Sequence, residues 1–394
     1  MSVVLQPKDE NELADAVANA AAKRSPLAII GGGTRAGLGR PVAAKATLST
    51  KALAGVTLYE PAELVLSTRA GTPLSEIETL LAEKSQRLSF EPMDHRPLFG
   101  ESGEPTIGGI VAANVSGPRR IQAGAARDSL IGIRAVTGAG EIVKSGGRVM
   151  KNVTGYDLVK FLAGSYGTLA VLTEVTFKVL PAPETETTLV IDGLEDGPAV
   201  AALSAALGSP FSVTGAAHRP AFGREPARSF IRLEGFATSV ADRAKRLSAD
   251  LTGFGKSEQM TGRASVTLWQ TIRDVALLGT APKVPIWRIS TKPSLAPPLI
   301  EAIRGSFECR VLYDWGGGLV WIAGGQGNDA GAAVIRGALG VNGHATLVRG
   351  SAEVRASIDV FQPLAPPLME LTRKLKMTFD PAGILNPGRV YAGL

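Results

Sequence analysis

Few residue types in this chain are suited to chemistry, and they cluster. The apolar run LAII feeds straight into Gly31, Gly32, Gly33, Thr34 and Arg35. Successive backbone N–H groups in such a turn form a nest that binds anions, phosphate above all. A second glycine-rich stretch, PTIGGIVAANVSGPRR, starts at Pro105 and carries Gly108, Gly109 and Gly117. Gly108 and Gly109 suit the close approach of a ligand to backbone, and Thr106, Asn114 and Ser116 offer polar contacts on a nearly apolar wall. Asn114 and Ser116 fit ordinary turn capping as well.

The remaining candidates are sparse. The three histidines, His95, His218 and His344, lie far apart, so the spacing of a metal site is missing and none is expected. His95 falls in a polar, Pro-rich connection, which predicts a surface position. Cys309 is the single cysteine, which excludes an internal disulfide, a CxxC pair and an iron–sulfur cluster held by this chain alone. In the segment WRIS, Arg288 is a candidate for bidentate binding of a substrate carboxylate. Its alternative is an alternating strand with Trp287 and Ile289 inward and Arg288 towards solvent.

Gly31, Gly33 and Ala36 also satisfy G-x-G-x-x-A, the dinucleotide fingerprint of doubly wound folds. That fingerprint needs a helix opening within the glycines. Here Gly37, Gly39 and Pro41 follow, then the strand-like ATLSTKAL, and a helix precedes the strand. The loop therefore reads as a phosphate nest outside a Rossmann fold.

These residues need positioning elements. Leu13, Val17 and several alanines give helical spacing between Asn11 and Lys23. LVLSTRAGTPLSEIETLLAEKSQ reads as strand, turn and a helix led by Thr72 and Pro73. From Pro105 to Val179, glycines among β-branched runs predict strands and turns. Beyond Pro181 the order β-α-β-β-α appears and a similar order follows, interrupted by a helix from Ser265 to Leu278. Two β-α-β-β-α-β-like halves on one sheet are the simplest arrangement. At 394 residues, two domains are expected. Basic residues exceed acidic ones by 42 to 36 without a concentrated run, which disfavours nucleic acid and favours small anions or an acidic partner surface. The N-terminus has acidic residues early and no signal-like apolar core, and no segment has the length and apolar density of a membrane span.

In order, the strand followed by GGGT, PTIGGIVAANVSGPRR, RDSLIGIRAVTGAGEIV, KNVTGYDLVKFLAGSYGTLAVLTEVTFKV and FDPAGILNPGRV resemble the FAD-binding domain of the vanillyl-alcohol oxidase (PCMH) type of flavoprotein. Within that group the chain is most similar to the FAD-binding E subunits of bacterial glycolate oxidases. The resemblance implies an α+β fold: a two-subdomain PCMH-type FAD-binding domain over 1–180, a ferredoxin-like-repeat cap with one antiparallel sheet over 181–355, and a helix and tail over 356–394 returning to the first domain. It implies non-covalent FAD held by Gly31, Gly32, Gly33, Thr34, Arg35, Pro105, Thr106, Gly108, Gly109, Ala112, Asn114, Ser116, Gly117, Asp128, Asn152, Tyr156, Asp157, Val171 and Asn386. Asp157 has the alternative role of capping a helix.

Catalytic relatives that oxidise 2-hydroxy acids carry a His-rich HxGDGNxH-like segment in the cap. Here GVNGHATLVRG stands in the comparable region without the second histidine or the GDGN run. The expectation is therefore an FAD-bearing subunit of a glycolate oxidase complex, cytoplasmic and peripheral to the inner membrane through its partners. Those partners are a metal-containing FAD sister subunit that oxidises glycolate and an iron–sulfur subunit that carries electrons. The rivals are a self-sufficient FAD oxidoreductase acting on a small 2-hydroxy acid or alcohol through Arg288, and a scaffold with a vestigial flavin pocket.

Overall fold

The computed structural model describes residues 3–147 and 157–394. The chain divides into two compact units. One comprises Met1–Ser116, Ala123–Ala182 and Pro363–Leu394, and the other Gly117–Gln122 and Pro183–Gln362.

The first unit is built on two sheets. Strands β1 (Val3–Leu5), β2 (Leu27–Ile30) and β3 (Ala46–Ser49) form a parallel sheet in the order β1-β3-β2. Helix α1 (Glu10–Ala22) covers it, burying Leu13, Val17 and Ala20 at helical spacing. Asp9 caps α1 by accepting from the Glu12 N–H at 2.9 Å. Next come β4 (Val56–Glu60), β5 (Val65–Arg69), the two-residue β6 (Gln86–Arg87), β7 (Leu130–Thr137), β8 (Ile142–Gly146), β9 (Ala170–Lys178) and the two-residue β10 (Leu180–Pro181). β6 and β10 pair with each other, and the others form an antiparallel sheet, β4-β5-β9-β7-β8. The central β9, AVLTEVTFK, is buried at seven of its nine positions, so both of its faces are covered.

Helix α2 (Leu74–Ala82) buries Leu74, Ile77 and Leu81. Short helices follow: α3 (Arg96–Phe99), α4 (Ile107–Ala112), α5 (Arg120–Ala123), α6 (Ala126–Ser129) and α7 (Leu158–Leu162). Helix α4 departs from the expectation of strands and turns after Pro105. Ile107, Ile110 and Val111 recur at i, i+3 and i+4 and are all buried, and this spacing outweighs the helix-weakening Gly108 and Gly109.

The second unit carries one eight-stranded, wholly antiparallel sheet. Its first half runs β11 (Thr185–Asp192), α8 (Asp196–Gly208), β12 (Gly215–Arg219), β13 (Arg228–Gly235), α9 (Ala237–Asp250) and β14 (Ser257–Thr261). Helix α10 (Gly262–Arg273) intervenes. The second half runs β15 (Ile286–Thr291), α11 (Ala296–Arg304), β16 (Arg310–Asp314), β17 (Leu319–Ala323), α12 (Ala332–Leu339) and β18 (Gly343–Arg349), followed by α13 (Ala352–Ser357). The sheet order is β14-β11-β13-β12-β16-β17-β15-β18, two ferredoxin-like halves joined through their second strands at one bridged pair, His218 and Tyr313.

Alternation along the strands assigns the faces. Leu189, Ile191, Ile231 and Leu233 pack beneath α8 and α9, whereas Val190 and Phe230 point the other way, against Trp269 and Ile272 of α10. The chain returns to the first unit through α14 (Pro366–Phe379).

Candidate functional site

A cleft opens inside the first unit. Four segments wall it: the end of β2 with the loop from Gly31 to Ala36, helix α4, the turn at Tyr166 and Gly167, and the start of β9. Thr50, Ala70 and Arg389 complete the wall.

The glycine loop is fixed by what surrounds it. A Cβ on Gly31 would lie 2.1 Å from Thr106 Oγ1, and one on Gly32 would lie 1.6 Å from the Glu104 carbonyl oxygen. Gly33 has φ +84°, the left-handed region that favours glycine. Helix α4 is anchored from behind. Leu74 N–H donates to the Pro105 carbonyl, Ile107 N–H to that of Thr72 and Gly108 N–H to that of Ala70, each within 2.8–3.0 Å. A Cβ on Gly108 would meet Ala70 at 2.7 Å, whereas Gly109 faces Thr106 Oγ1 and Arg35.

Among the buried polar atoms at this place, Thr106 Oγ1 and Arg35 Nε have no hydrogen-bond partner among the described residues. Burial of an unpaired polar atom costs stability unless a ligand satisfies it. Burial also pushes the Arg35 guanidinium down to about 10, with Asp94 opposing, so it stays cationic at neutral pH. Its Nη2 donates to the Met93 carbonyl at 3.3 Å. A cation, a hydroxyl and a glycine turn converging on one cleft are the donor set that a diphosphate takes. The residues present thus fit FAD.

The C-terminal segment closes the floor. Asn386 is buried, accepts from the Ile29 N–H at 2.8 Å and donates to the Tyr166 carbonyl at 2.8 Å. It thereby ties β2 to the turn opposite. Lys376, the only residue of α14 that is buried, donates to the carbonyls of Thr168 and Leu385 and to Asp380. Asp380 also accepts from the Ile384 and Leu385 N–H groups. Arg389 donates to the Arg35 carbonyl at 3.0 Å.

The residues anticipated as ligands divide into three groups. Gly31, Gly32, Gly33, Thr34, Arg35, Thr106, Gly108, Gly109, Ala112 and Val171 line the cleft. Pro105, Asn114, Ser116, Gly117, Asp128, Asp157 and Asn386 stand outside its lining. Asn114 accepts from the Arg127 N–H, Asp128 from the Ala125 N–H, and Asp157 caps α7 through the Lys160 N–H. Gly117 belongs to the second unit, where its carbonyl accepts from Trp315 Nε1. Asn152 and Tyr156 lie outside the described residues.

Sequence reasoning passed over Thr50, Tyr166, Gly167 and Arg389, which line the cleft from distant segments. The only local signal was at Gly167, whose φ of +68° needs a glycine. His95, expected at the surface, is buried: it stacks on Phe99 with ring centroids 6.0 Å apart, and its Nδ1 lies 3.2 Å from the Met93 carbonyl. The turn of α3 folds that polar connection inward. In the second unit, Trp287 and Ile289 are fully buried, and the half-buried Arg288 sits 5.1 Å from the Trp315 ring centroid.

Comparison with known proteins agrees with this geometry. Residues 1–146 match the family model described as FAD binding domain. Over 383 residues, 97% of both chains, the protein is 37% identical to glycolate oxidase subunit GlcE of Escherichia coli (strain K12). The chain belongs to the GlcE family of FAD-binding proteins. FAD is its cofactor, and this GlcE-family chain is an FAD-dependent oxidoreductase subunit. Glycolate oxidase subunit GlcD of Bacillus subtilis (strain 168) is 29% identical over 188 residues, 48% of this chain and 38% of that one. In structure the chain resembles alkyldihydroxyacetonephosphate synthase, with a TM-score of 0.70 over 98% of this chain and 75% of that one at 16% identity, a likeness of fold. Among the described residues no helix is long and apolar enough to cross a membrane, and no group of His, Cys, Asp and Glu is placed to hold a metal ion.

Proposed function

We propose that this GlcE-family chain is the FAD-binding subunit of a glycolate oxidase complex, in which glycolate is oxidised to glyoxylate and two electrons pass on to partner subunits. The observation that carries this reading is the cleft itself: it has a diphosphate cradle but, among its described lining residues, no His, Asp or Glu. Oxidation of a 2-hydroxy acid requires a base for the hydroxyl proton. The lining supplies only Arg35, Arg389 and Tyr166 as ionisable groups, a set suited to holding an anionic cofactor. The near full-length match to GlcE supports the same reading.

When bound, FAD supplies a two-electron acceptor able to release electrons singly. The chain's own residues bind and orient it: Gly31 to Arg35, Thr106, Gly108, Gly109, Ala112 and Val171 form the cradle, and Asn386 holds two of its walls together. The FAD is held non-covalently in this reading, which its release on acid precipitation tests. The sister subunits are a metal-containing flavoprotein, which takes the proton and hydride from glycolate, and an iron–sulfur protein towards quinone. The complex is cytoplasmic and held at the inner membrane through these partners.

Absorbance spectroscopy tests this. The isolated chain is expected to be yellow and to release its flavin on acid precipitation. Anaerobic glycolate should bleach it only when the sister subunit is present. Bleaching of the isolated chain would favour a self-sufficient oxidoreductase, and a colourless protein would remove the flavin role altogether.

A further inference from the structure

The first two turns of α14 bury no side chain fully. Leu368 and Leu371 are each 53% exposed. With the half-buried Leu375 they recur at i, i+3 and i+7, one stripe on the helix surface, and the half-buried Leu364 precedes the helix. At its C-terminal end the stripe runs into a groove of about 740 Å³, to which Leu375 itself contributes. Phe161, Leu169, Val390 and Tyr391 provide the groove's apolar walls. A ridge of leucines leading into an apolar groove exceeds the scattered exposure normal for a protein surface.

We propose that this ridge and groove seat an amphipathic helix of a sister subunit, with an apolar stripe at the same spacing and acidic residues along its flank. Helical spacing on one side is matched by helical spacing on the other, knob into hole. The flank of α14 carries Arg373 and Lys374 against the single carboxylate of Glu370, which pairs with both. The exposed face is therefore net basic, as is the whole chain at +6. That charge repels a second copy of this face and attracts an acidic one. The proposal rests on the reading of the chain as one subunit of an oxidase.

The groove backs onto the cofactor cleft. Gly164, Ser165, Thr168 and Leu169 line the groove, whereas Tyr166 and Gly167 of the same turn line the cleft. Lys376 lines the groove and donates to the Thr168 carbonyl at 2.7 Å. A partner seated on α14 thus lies one turn of chain away from the cleft.

The test is co-purification of the whole complex, with the affinity tag on a sister subunit, comparing wild type with the double variant Leu368→Asp, Leu371→Asp. Removing two central apolar anchors should weaken association about 100-fold and leave the flavin absorbance and thermal midpoint of the isolated chain unchanged. A charge-reversed pair, Arg373→Glu with Lys374→Glu, should weaken association less, with a reduced dependence on salt. Undiminished recovery of the Leu368, Leu371 variant overturns the proposal. So does light scattering that shows a dimer of wild-type chain lost in that variant while sister subunits still bind, since a second copy then owns the surface. If wild type itself recovers no sister subunit, the oxidase reading fails instead, before the surface is probed.

Discussion

The cleft of the first unit and the polar clusters around Thr188 and Asp196 in the second treat buried polar groups differently. In the first, Thr106 Oγ1 and Arg35 Nε point into a cleft without protein partners. In those clusters of the second unit, polar side chains face one another. Thr188 bonds Ser265 and receives Trp269 Nε1, and His218 bonds Ser229 at 2.9 Å. Asp196 accepts from Tyr313 Oη at 2.7 Å and from Arg304 at 2.9 Å. Networks closed on themselves add rigidity, while polar groups left open beside glycine-lined backbone mark where a ligand belongs.

Substitution of Gly32 by Val gives the largest expected break in that contrast. Its side chain would occupy the position of the Glu104 carbonyl, so flavin retention should be lost while amide exchange in the eight-stranded sheet stays protected. Full flavin occupancy would place the cofactor elsewhere.

Arg35→Met should follow, weakening FAD by about 10- to 100-fold, as expected for loss of a charged hydrogen-bonding partner. Titration of the apoprotein followed by flavin fluorescence reads this out.

Thr106→Val sharpens the comparison further. An apolar isostere removes an unsatisfied hydroxyl, so the apoprotein should melt no lower than wild type, yet flavin should bind about 5- to 10-fold more weakly. A lower apo melting temperature with unchanged affinity would make Thr106 structural.

The smallest effects belong to the second unit. Tyr313→Phe should cost about 1 kcal/mol of stability and leave flavin affinity untouched. Asp196 adds a pH dependence: burial raises its pKa, but the His218 ring, the Tyr313 hydroxyl and the Arg304 charge outweigh burial and hold it below the ordinary aspartate value. Its contribution is then complete above about pH 4, the unfolded value. It fades as pH falls through the folded pKa. Denaturant melts of wild type and Asp196→Asn should converge at low pH, and parallel profiles would sink this assignment.

The sequence made the local parts of this molecule legible. The glycine loop after β2 declares itself because a run of glycines has few other uses, and the β-α-β-β-α-β order is written in hydrophobic spacing. The contribution of distant segments was hidden. Arg389 and Tyr166 reach the cleft only through tertiary packing, and nothing in their own neighbourhoods announces it. Asn114, Asp128 and Asp157 resemble ligands by residue type, yet their carboxamide or carboxylate oxygens bind nearby backbone N–H groups. Asx side chains serve caps and ligands with the same chemistry, so residue type alone does not separate the two roles. His95 shows the reverse case, a polar neighbourhood folded inward by the short helix beside it.

The join between the two halves of the eight-stranded sheet has a mechanical meaning. Only His218 and Tyr313 bridge β12 to β16, so the backbone ladder is thinnest at mid-sheet. Side chains do the stitching there: Asp196, from the first half, grips Tyr313 and Arg304 of the second. Glu225 pairs with Arg310 across the same seam, and Val200 of α8 packs in the core of the second half. A proton on Asp196 would loosen one stitch of this seam and leave the packing beneath it in place.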